Sequence, residues 1–283
     1  MALIFLSDLH DLLDSPTLLL FDCRHELSDV EAGLNAYQAG HVPGAHHLHL
    51  DRDLSGEILP GVTGRHPLPP AEVFARHMAA FDLDDGKEVV LYDDKGGGIA
   101  ARAWWMLTGI GHANVRILNG GLPAYVAAGY PLEEGEVALP ATDYRRRAAP
   151  YPALTYSHRT CDRAQLRFAG PDDWTIVDSR TAPRYRGEHE PIDPVAGHVP
   201  GADNRPWPGN LSADGTLLDA PQLKNRFAAL GDEAERIVFY CGSGVTACHN
   251  LLAYYLATGK MAALYPGSWS DWITDPEAPV VTS

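Results

Sequence analysis

Cysteine is scarce in this chain of 283 residues. The four cysteines are Cys23, Cys161, Cys241 and Cys248, and no two of them form a C-x-x-C pair. Structural zinc sites and the disulfide frameworks of small secreted proteins both need several closely spaced cysteines. The sequence therefore predicts no metal site and no disulfide framework, and it favours a reducing compartment, the cytoplasm.

Positive charge is also in short supply. Lys and Arg number 22 against 37 Asp and Glu, which gives a formal net charge of -15 at pH 7. Nucleic acids and anionic membrane surfaces would repel such a chain. No apolar run approaches the roughly 20 residues that a membrane-spanning helix needs. We therefore expect neither nucleic acid nor a membrane as a partner.

The most informative segment is IVFYCGSGVTACHNLL, residues 237–252. Its first four residues are β-branched or aromatic, which predicts a buried parallel strand. A loop with two glycines follows, and the apolar positions beyond it predict a helix. Cys241 opens the loop at the carboxyl end of the strand, where open α/β sheets bind ligands. Backbone N–H groups and the positive end of a helix favour a thiolate there, so Cys241 is predicted to be a nucleophile.

A packing role is the competing interpretation of Cys241, because an unbridged cysteine commonly packs as a small hydrophobic residue. The order of strand, cysteine, glycine loop and helix favours the functional interpretation. Cys248 lies two helical turns further on, too far to form a disulfide with Cys241. We interpret Cys248 as a packing residue of the helix.

The two halves of the sequence repeat one pattern. In each half a predicted strand ends in D-x-R and is followed by the hexapeptide GHVPGA. The strands are residues 18–22 and 175–178, and the hexapeptides are residues 40–45 and 197–202. A six-residue identity at the same place in both halves indicates an internal duplication.

The repeat continues through the segment that contains the candidate nucleophile. Residues 89–93, VVLYD, correspond to residues 237–241, IVFYC, so Asp93 takes the position of Cys241 in the first half. An aspartate offers no thiol, so the first half keeps the scaffold without the nucleophile. In each half a predicted helix follows, at residues 99–108 in the first half and 245–258 in the second. A predicted strand with a glycine turn comes next, at residues 117–121 and 264–268 respectively.

Alternating strands and helices predict the α/β class, with a mostly parallel sheet flanked by helices in each of two tandem domains. We expect the first domain at residues 1–133 and the second at residues 159–283. Residues 134–158 contain acidic residues, a basic run and three prolines, which predicts a linker on the surface.

The duplicated unit, the two GHVPGA hexapeptides and the loop CGSGVTA resemble the tandem-domain rhodanese superfamily. The resemblance implies two rhodanese-like domains, of which the first is inactive and the second catalytic. It also implies that Cys241 takes sulfur from a small-molecule donor, holds it as a persulfide and passes it to a thiol or cyanide acceptor. A thioredoxin-like protein is the implied reductant, and no cofactor is implied.

Residues after the cysteine distinguish the branches of this superfamily. Members that use thiosulfate typically carry Arg and Lys directly after the cysteine, whereas this chain has Gly242 and Ser243, as in the branch that uses 3-mercaptopyruvate. Phosphatases of this fold need an arginine six residues after the cysteine, and this chain has Ala247 there. The implied donor is 3-mercaptopyruvate. Thiosulfate is the nearest alternative, and a persulfide carrier for a protein acceptor and a redox sensor are alternatives of other kinds.

The resemblance assigns a proton-transfer role to three residues. Ser243 is grouped with Asp51 and His66, and this group would protonate the departing enolate and help to form the thiolate. There are competing interpretations for two of them. Asp51 would only pair with Arg52 or cap a turn, and His66 would be a structural histidine of a loop. Four loop residues are expected to contact the substrate: Gly242, Gly244, Val245 and Thr246.

Arginines are expected to bind the donor carboxylate. Arg184 matches a family arginine with this role. A second such arginine is expected near residues 191–193, which contain none, and Arg186 is the candidate substitute. Solvated surface charge is the competing interpretation of both. The histidines of residues 41–49 suggest a metal site, but no cysteine or carboxylate set completes a ligand shell, so none is predicted.

Overall fold

The computed structural model describes residues 2–139, 155–170, 173–231 and 233–283. The chain forms two compact units. The first contains Met1–Gly56, Pro69–Ser157 and Asp214–Thr216, and the second contains Glu57–Leu68, His158–Ala213 and Leu217–Ser283. Residues 57–68 therefore belong to the second unit although they fall in the first half of the sequence. The basic run 145–147 and the prolines of the predicted linker, Pro140, Pro150 and Pro152, lie outside the described residues.

The first unit contains a five-stranded sheet in the order β1-β5-β4-β2-β3, and all of its neighbouring strands pair in parallel. Its strands are β1 (Leu3–Ile4), β2 (Leu18–Asp22), β3 (His46–His47), β4 (Glu88–Tyr92) and β5 (Val115–Leu118). Its helices are α1 (Leu6–His10), α2 (Ala32–Ala39), α3 (Ala71–Ala79), α4 (Ala100–Gly109) and α5 (Gly121–Ala127).

The second unit contains a four-stranded parallel sheet in the order β7-β6-β8-β9. Its strands are β6 (Thr175–Asp178), β7 (Asp203–Asn204), β8 (Ile237–Tyr240) and β9 (Ala263–Leu264). Its helices are α6 (Arg163–Arg167), α7 (Ala182–Arg186), α8 (Ala220–Phe227), α9 (Ala247–Thr258) and α10 (Ser268–Trp272). Short 3-10 helices lie at Trp207–Asn210, Ala228–Leu230 and Ala234–Arg236. The predicted α/β class with two parallel sheets flanked by helices is confirmed.

Burial explains the sequence of the strand that leads to Cys241. All four residues of β8 are buried, and β8 has a neighbouring strand on each side, β6 and β9. A strand that is covered on both faces needs a continuous apolar run rather than alternating polar residues. Val238 and Tyr240 join Trp269 in the buried core of the second unit. This packing holds the carboxyl end of β8, and with it Cys241, in a fixed place.

The repeated D-x-R and GHVPGA motifs have a structural purpose. In the second unit the Arg180 guanidinium donates to Asp178 Oδ2 and to the Gly197 carbonyl oxygen, at 2.7 Å each. The Tyr240 hydroxyl accepts a hydrogen bond from the Val199 N–H at 3.1 Å. The hexapeptide is thereby tied to the ends of both β6 and β8.

The first unit makes the matching contacts. Arg24 donates to Asp22 Oδ2 at 2.6 Å and to the Gly40 carbonyl oxygen at 2.7 Å. The Tyr92 hydroxyl accepts from the Val42 N–H at 3.1 Å. The identity of the two hexapeptides therefore reflects a shared scaffold, which explains why it persists in the half that lacks the cysteine. Within the described residues, no helix has the length and apolar character needed to cross a bilayer.

Candidate active site

Cys241 directly follows β8 and is 2% exposed. Its Sγ accepts a hydrogen bond from the Gly244 N–H at 3.2 Å. The helix after the loop begins at Ala247 rather than at the predicted residue 245. Val245, which is buried, and Thr246 belong instead to the loop that surrounds the sulfur.

Burial and hydrogen bonding act in opposite directions on the Cys241 thiol. Burial raises its pKa, because a thiolate loses hydration in the interior. The Thr246 hydroxyl and three backbone N–H groups, from the loop and the first residue of α9, bind the sulfur, and together they outweigh burial. The three N–H groups belong to Ser243, Ala247 and Gly244. The pKa of Cys241 therefore lies below its ordinary value, which favours the nucleophilic thiolate.

The other cysteines lie in different environments, although all four are thiols. Burial, reinforced by the charge of Asp93, raises the pKa of Cys23 well above its ordinary value. Burial likewise raises the pKa of Cys161 to about 12. The Cys248 thiol donates to the Gly244 carbonyl oxygen at 3.4 Å and is fully buried. Thiolate chemistry is therefore favoured at Cys241 among these residues.

Two residues with positive φ shape the loop. Gly244 has a φ of 79°, and a Cβ added there would lie 2.2 Å from the Pro266 carbonyl oxygen, so only glycine fits. Ser268 has a φ of 55°. Its hydroxyl accepts from the Cys241 N–H at 3.0 Å and donates to the Tyr265 carbonyl oxygen at 2.9 Å. Sequence reasoning missed Ser268, and its position directly after the glycine turn was the available signal.

Asp93 shows what the same loop does in the first unit. Its carboxylate accepts four backbone hydrogen bonds at 2.8–2.9 Å. The donors are the N–H groups of Lys95, Gly97, Ile99 and Ala100. The duplicated loop therefore directs backbone N–H donors at a side-chain acceptor in both units, namely the Asp93 carboxylate in the first and the Cys241 sulfur in the second.

Two of the three predicted proton-transfer residues meet in the second unit. His66 Nδ1 lies 2.7 Å from Ser243 Oγ, and both residues are 5% exposed. His66 is part of the segment Glu57–Leu68 that belongs to this unit. Asp51 belongs to the first unit, where its Oδ2 lies 3.9 Å from His25 Nε2 and 4.0 Å from His49 Nδ1.

The group of His25, His49 and Asp51 brings potential metal-ligand atoms within 4.8 Å of one another. His49 is already committed to hydrogen bonds, however. Its Nδ1 accepts from the Asp51 N–H at 3.1 Å, and its Nε2 donates to the Val30 carbonyl oxygen at 3.1 Å. An ion would have to displace these bonds, so the geometry does not favour a metal here.

Two arginines flank the loop of the second unit. A Cβ added at Gly242 would lie 3.4 Å from Arg184 Nη2 and 3.0 Å from Arg65 Nη2. Arg186 instead donates to Glu188 Oε1 at 2.7 Å, and its side chain is 40% exposed. Sequence reasoning missed Arg65, although its position directly before His66 was a usable signal. Two guanidiniums thus lie beside a loop whose own side chains carry no positive charge.

Buried carboxylates hold both arginines. Glu190 accepts from Arg184 Nη2 at 2.8 Å and from Arg180 Nη1 at 3.3 Å. Asp193 accepts from Arg184 Nη2 at 3.1 Å through Oδ2 and from Arg65 Nη1 through Oδ1. Burial, and after it the positive charge of Arg184, lowers the pKa of Arg65. The guanidiniums are therefore held next to Gly242 by a chain of ion pairs.

Comparison with known proteins finds one family in both halves of the chain. A model of the rhodanese-like domain matches residues 5–128 and 162–275. A probable 3-mercaptopyruvate sulfurtransferase from Pseudomonas aeruginosa is 48% identical over 273 residues, which cover 95% of this chain and 94% of that protein. A putative thiosulfate sulfurtransferase, SseB, from Mycobacterium tuberculosis is 40% identical over 262 residues, which cover 92% and 89%.

A solved structure agrees with these sequences. The crystal structure of SseA from Escherichia coli, described among the 3-mercaptopyruvate sulfotransferases, matches with a TM-score of 0.77 at 30% identity. The match covers 95% of this chain and 99% of SseA. The names of these relatives share sulfur chemistry and differ in the donor.

Proposed function

We propose that this chain, a sulfurtransferase that belongs to the rhodanese family, takes sulfur from 3-mercaptopyruvate and passes it to a thiol or to cyanide through a persulfide on Cys241. One observation carries the proposal. A buried thiol with a lowered pKa accepts hydrogen bonds from loop N–H groups, and the guanidiniums of Arg65 and Arg184 lie beside the next residue, Gly242. That arrangement offers a nucleophile for sulfur and a binding site for a carboxylate.

The first half of the reaction transfers sulfur to the enzyme. The Cys241 thiolate attacks the donor sulfur, an S–S bond forms, and the C–S bond of the donor breaks. The electron pair of that bond remains on carbon as the enolate of pyruvate, and one proton converts the enolate to pyruvate. The products are pyruvate and a persulfide on Cys241 that retains the hydrogen of the donor thiol. A guanidinium binds a carboxylate through two parallel hydrogen bonds, so Arg184 and Arg65 would orient the donor during attack.

Ser243 and His66 would supply the proton. Their 2.7 Å hydrogen bond joins a hydroxyl and an imidazole in one relay. Ser243 follows the nucleophile Cys241 by two positions in the sequence. Histidine suits this task because its ordinary pKa lies near neutral pH. Asp51 remains a predicted third member of the relay.

The second half of the reaction returns Cys241 to the thiolate. An acceptor thiolate or cyanide attacks the outer sulfur of the persulfide, the S–S bond breaks, and its electron pair stays on the Cys241 sulfur. The product is an acceptor persulfide or thiocyanate. A thioredoxin-like dithiol is a suitable reductant, since its second thiol can release the sulfur as hydrogen sulfide while a disulfide forms.

Thiosulfate is the second candidate donor, and one observation favours it. The two guanidiniums beside Gly242 supply positive charge that the sequence of the loop lacks. Each guanidinium is, however, already paired with buried Asp193 or Glu190. Because these carboxylates compensate the charge of the arginines, the site suits the single carboxylate of 3-mercaptopyruvate better than the two charges of thiosulfate.

Domain boundaries and location complete the proposal. We place an inactive domain at residues 1–133, a linker at residues 134–158 and the catalytic domain at residues 159–283. The second compact unit of the structure also contains Glu57–Leu68. The cytoplasm is the proposed location, because four cysteines held as thiols suit a reducing compartment.

The test combines mass spectrometry with turnover. After incubation with 3-mercaptopyruvate, one added sulfur is expected on Cys241, and Cys241→Ser should lose both the added sulfur and turnover, because serine cannot form a persulfide. Cys248→Ser is the matched control and should retain both. Sulfur found on Cys23, Cys161 or Cys248 instead would contradict the assigned nucleophile. Faster turnover of thiosulfate than of 3-mercaptopyruvate would contradict the donor.

A further inference from the structure

Asp193 joins the two arginines beside Gly242. One of its carboxylate oxygens accepts from Arg65 and the other from Arg184, and its side chain is 2% exposed. Its own N–H donates to Glu190 Oε1 at 3.1 Å, which restricts its backbone. A single buried carboxylate therefore orients both guanidiniums.

The ion-pair chain that ends at Arg65 has no net charge. Three guanidiniums alternate with three carboxylates, and each neighbouring pair is in contact. In order they are Asp178, Arg180, Glu190, Arg184, Asp193 and Arg65. The site thus presents guanidinium N–H donors beside the loop while the positive charge behind them is compensated.

We propose that Asp193 is a positioning residue that determines donor preference through this charge balance. A donor with one carboxylate gains hydrogen bonds from Arg65 and Arg184. The second negative charge of a dianion adds little to its binding, because no uncompensated cation remains in the ion-pair chain to attract it. This inference rests on the proposed function of the site, since it concerns which sulfur donor reaches Cys241.

The test replaces Asp193 by asparagine, which keeps the size of the side chain and removes one negative charge. The ratio of kcat/KM for thiosulfate to kcat/KM for 3-mercaptopyruvate should rise about tenfold, the scale of one unit charge acting across several ångströms of protein. If Asp193 were only structural, its replacement would lower kcat/KM for both donors alike and leave the ratio unchanged.

Glu188→Gln is the matched control. It removes the same charge five positions away, but Glu188 binds Arg186 and its side chain is 52% exposed, outside the ion-pair chain. Solvent and salt screen such a charge, so this control should leave the donor ratio unchanged.

A double variant, Arg65→Gln with Asp193→Asn, restores the charge balance and leaves no unpaired guanidinium at Arg65. Its donor ratio should return to within about threefold of the unmodified enzyme, although both rates fall. If the single variant does not fold, this double variant still decides, because a tenfold shift towards thiosulfate in it would overturn the inference. An unchanged ratio in folded Asp193→Asn would also overturn it. The proposed function fails separately, if no persulfide forms on Cys241 of the unmodified chain.

Discussion

His66 Nδ1 lies 2.7 Å from Ser243 Oγ although the two residues are 177 positions apart. The contact joins a segment from the first half of the sequence to the loop that follows β8. It gives the loop an imidazole, a type of side chain suited to proton transfer near neutral pH.

Replacement of His66 tests this relay. We expect His66→Ala to lower kcat with 3-mercaptopyruvate about 100-fold, within the usual contribution of general acid–base catalysis. Ser243→Ala should have an effect of similar size, and the double variant should be little worse than either single variant, because the two residues act as one unit. The exposed His189, replaced in the same way, is the control and should leave kcat unchanged. Additive losses would show that the two residues act independently.

The Thr246 hydroxyl should hold the pKa of Cys241 down. Among the hydrogen bonds to the sulfur, it contributes most to that lowering. Thr246→Val should therefore raise the pKa of Cys241, so that the midpoint of alkylation rate against pH moves to higher pH and alkylation at pH 7 slows.

The matched control for this prediction is Thr258→Val at the other end of α9. The Thr258 hydroxyl donates to the Tyr254 carbonyl oxygen at 2.8 Å and belongs to the last turn of the helix. Its loss should leave the alkylation midpoint in place. A midpoint that moves equally in both variants would contradict a specific role for Thr246.

Gly244 should tolerate no side chain. Gly244→Ala combines a positive φ with a Cβ that meets a backbone oxygen at 2.2 Å, so the loop must shift. Gly259→Ala is the control, because its φ of 70° imposes the same conformational cost and nothing lies within 4 Å of the added Cβ. The control should lose about 1–2 kcal/mol of unfolding free energy, and Gly244→Ala should lose more together with most turnover. Denaturant unfolding and activity measure the two effects, and equal stability losses would argue against the steric explanation.

Asp93 should stabilise the first unit as an internal anion. An asparagine at this position keeps one acceptor oxygen but turns N–H donors towards backbone N–H groups. Asp93→Asn should therefore lower the unfolding free energy by roughly 1.5–3 kcal/mol, the scale of a hydrogen bond to a charged group. The control is Asp85→Asn at an exposed position, which should leave the unfolding free energy almost unchanged. A neutral outcome at Asp93 would mean that its carboxylate does not stabilise the loop.

Much of the fold could be predicted from the sequence because its signals are local. The strands at residues 18–22 and 175–178 have the bounds that their apolar runs predicted. Cys241 lies at the end of a strand and before a glycine loop and a helix, all within one contiguous segment. The duplication was equally readable, since each copy of GHVPGA makes the same contacts with its own D-x-R arginine and strand-end tyrosine.

Only the tertiary structure decided which charged groups accompany Cys241. Arg65 comes from a segment that precedes β8 by more than a hundred residues along the chain, and no local pattern predicts that it lies beside Arg184 and shares Asp193 with it. A guanidinium acquires a role from the carboxylates and N–H groups within a few ångströms of it, and folding sets those distances. The sequence by itself predicted the nucleophile and determined the strand, glycine loop and helix around Cys241, because these features depend on neighbours in the chain. The charge balance beside Gly242 depends on neighbours in space, so only the folded chain determines it.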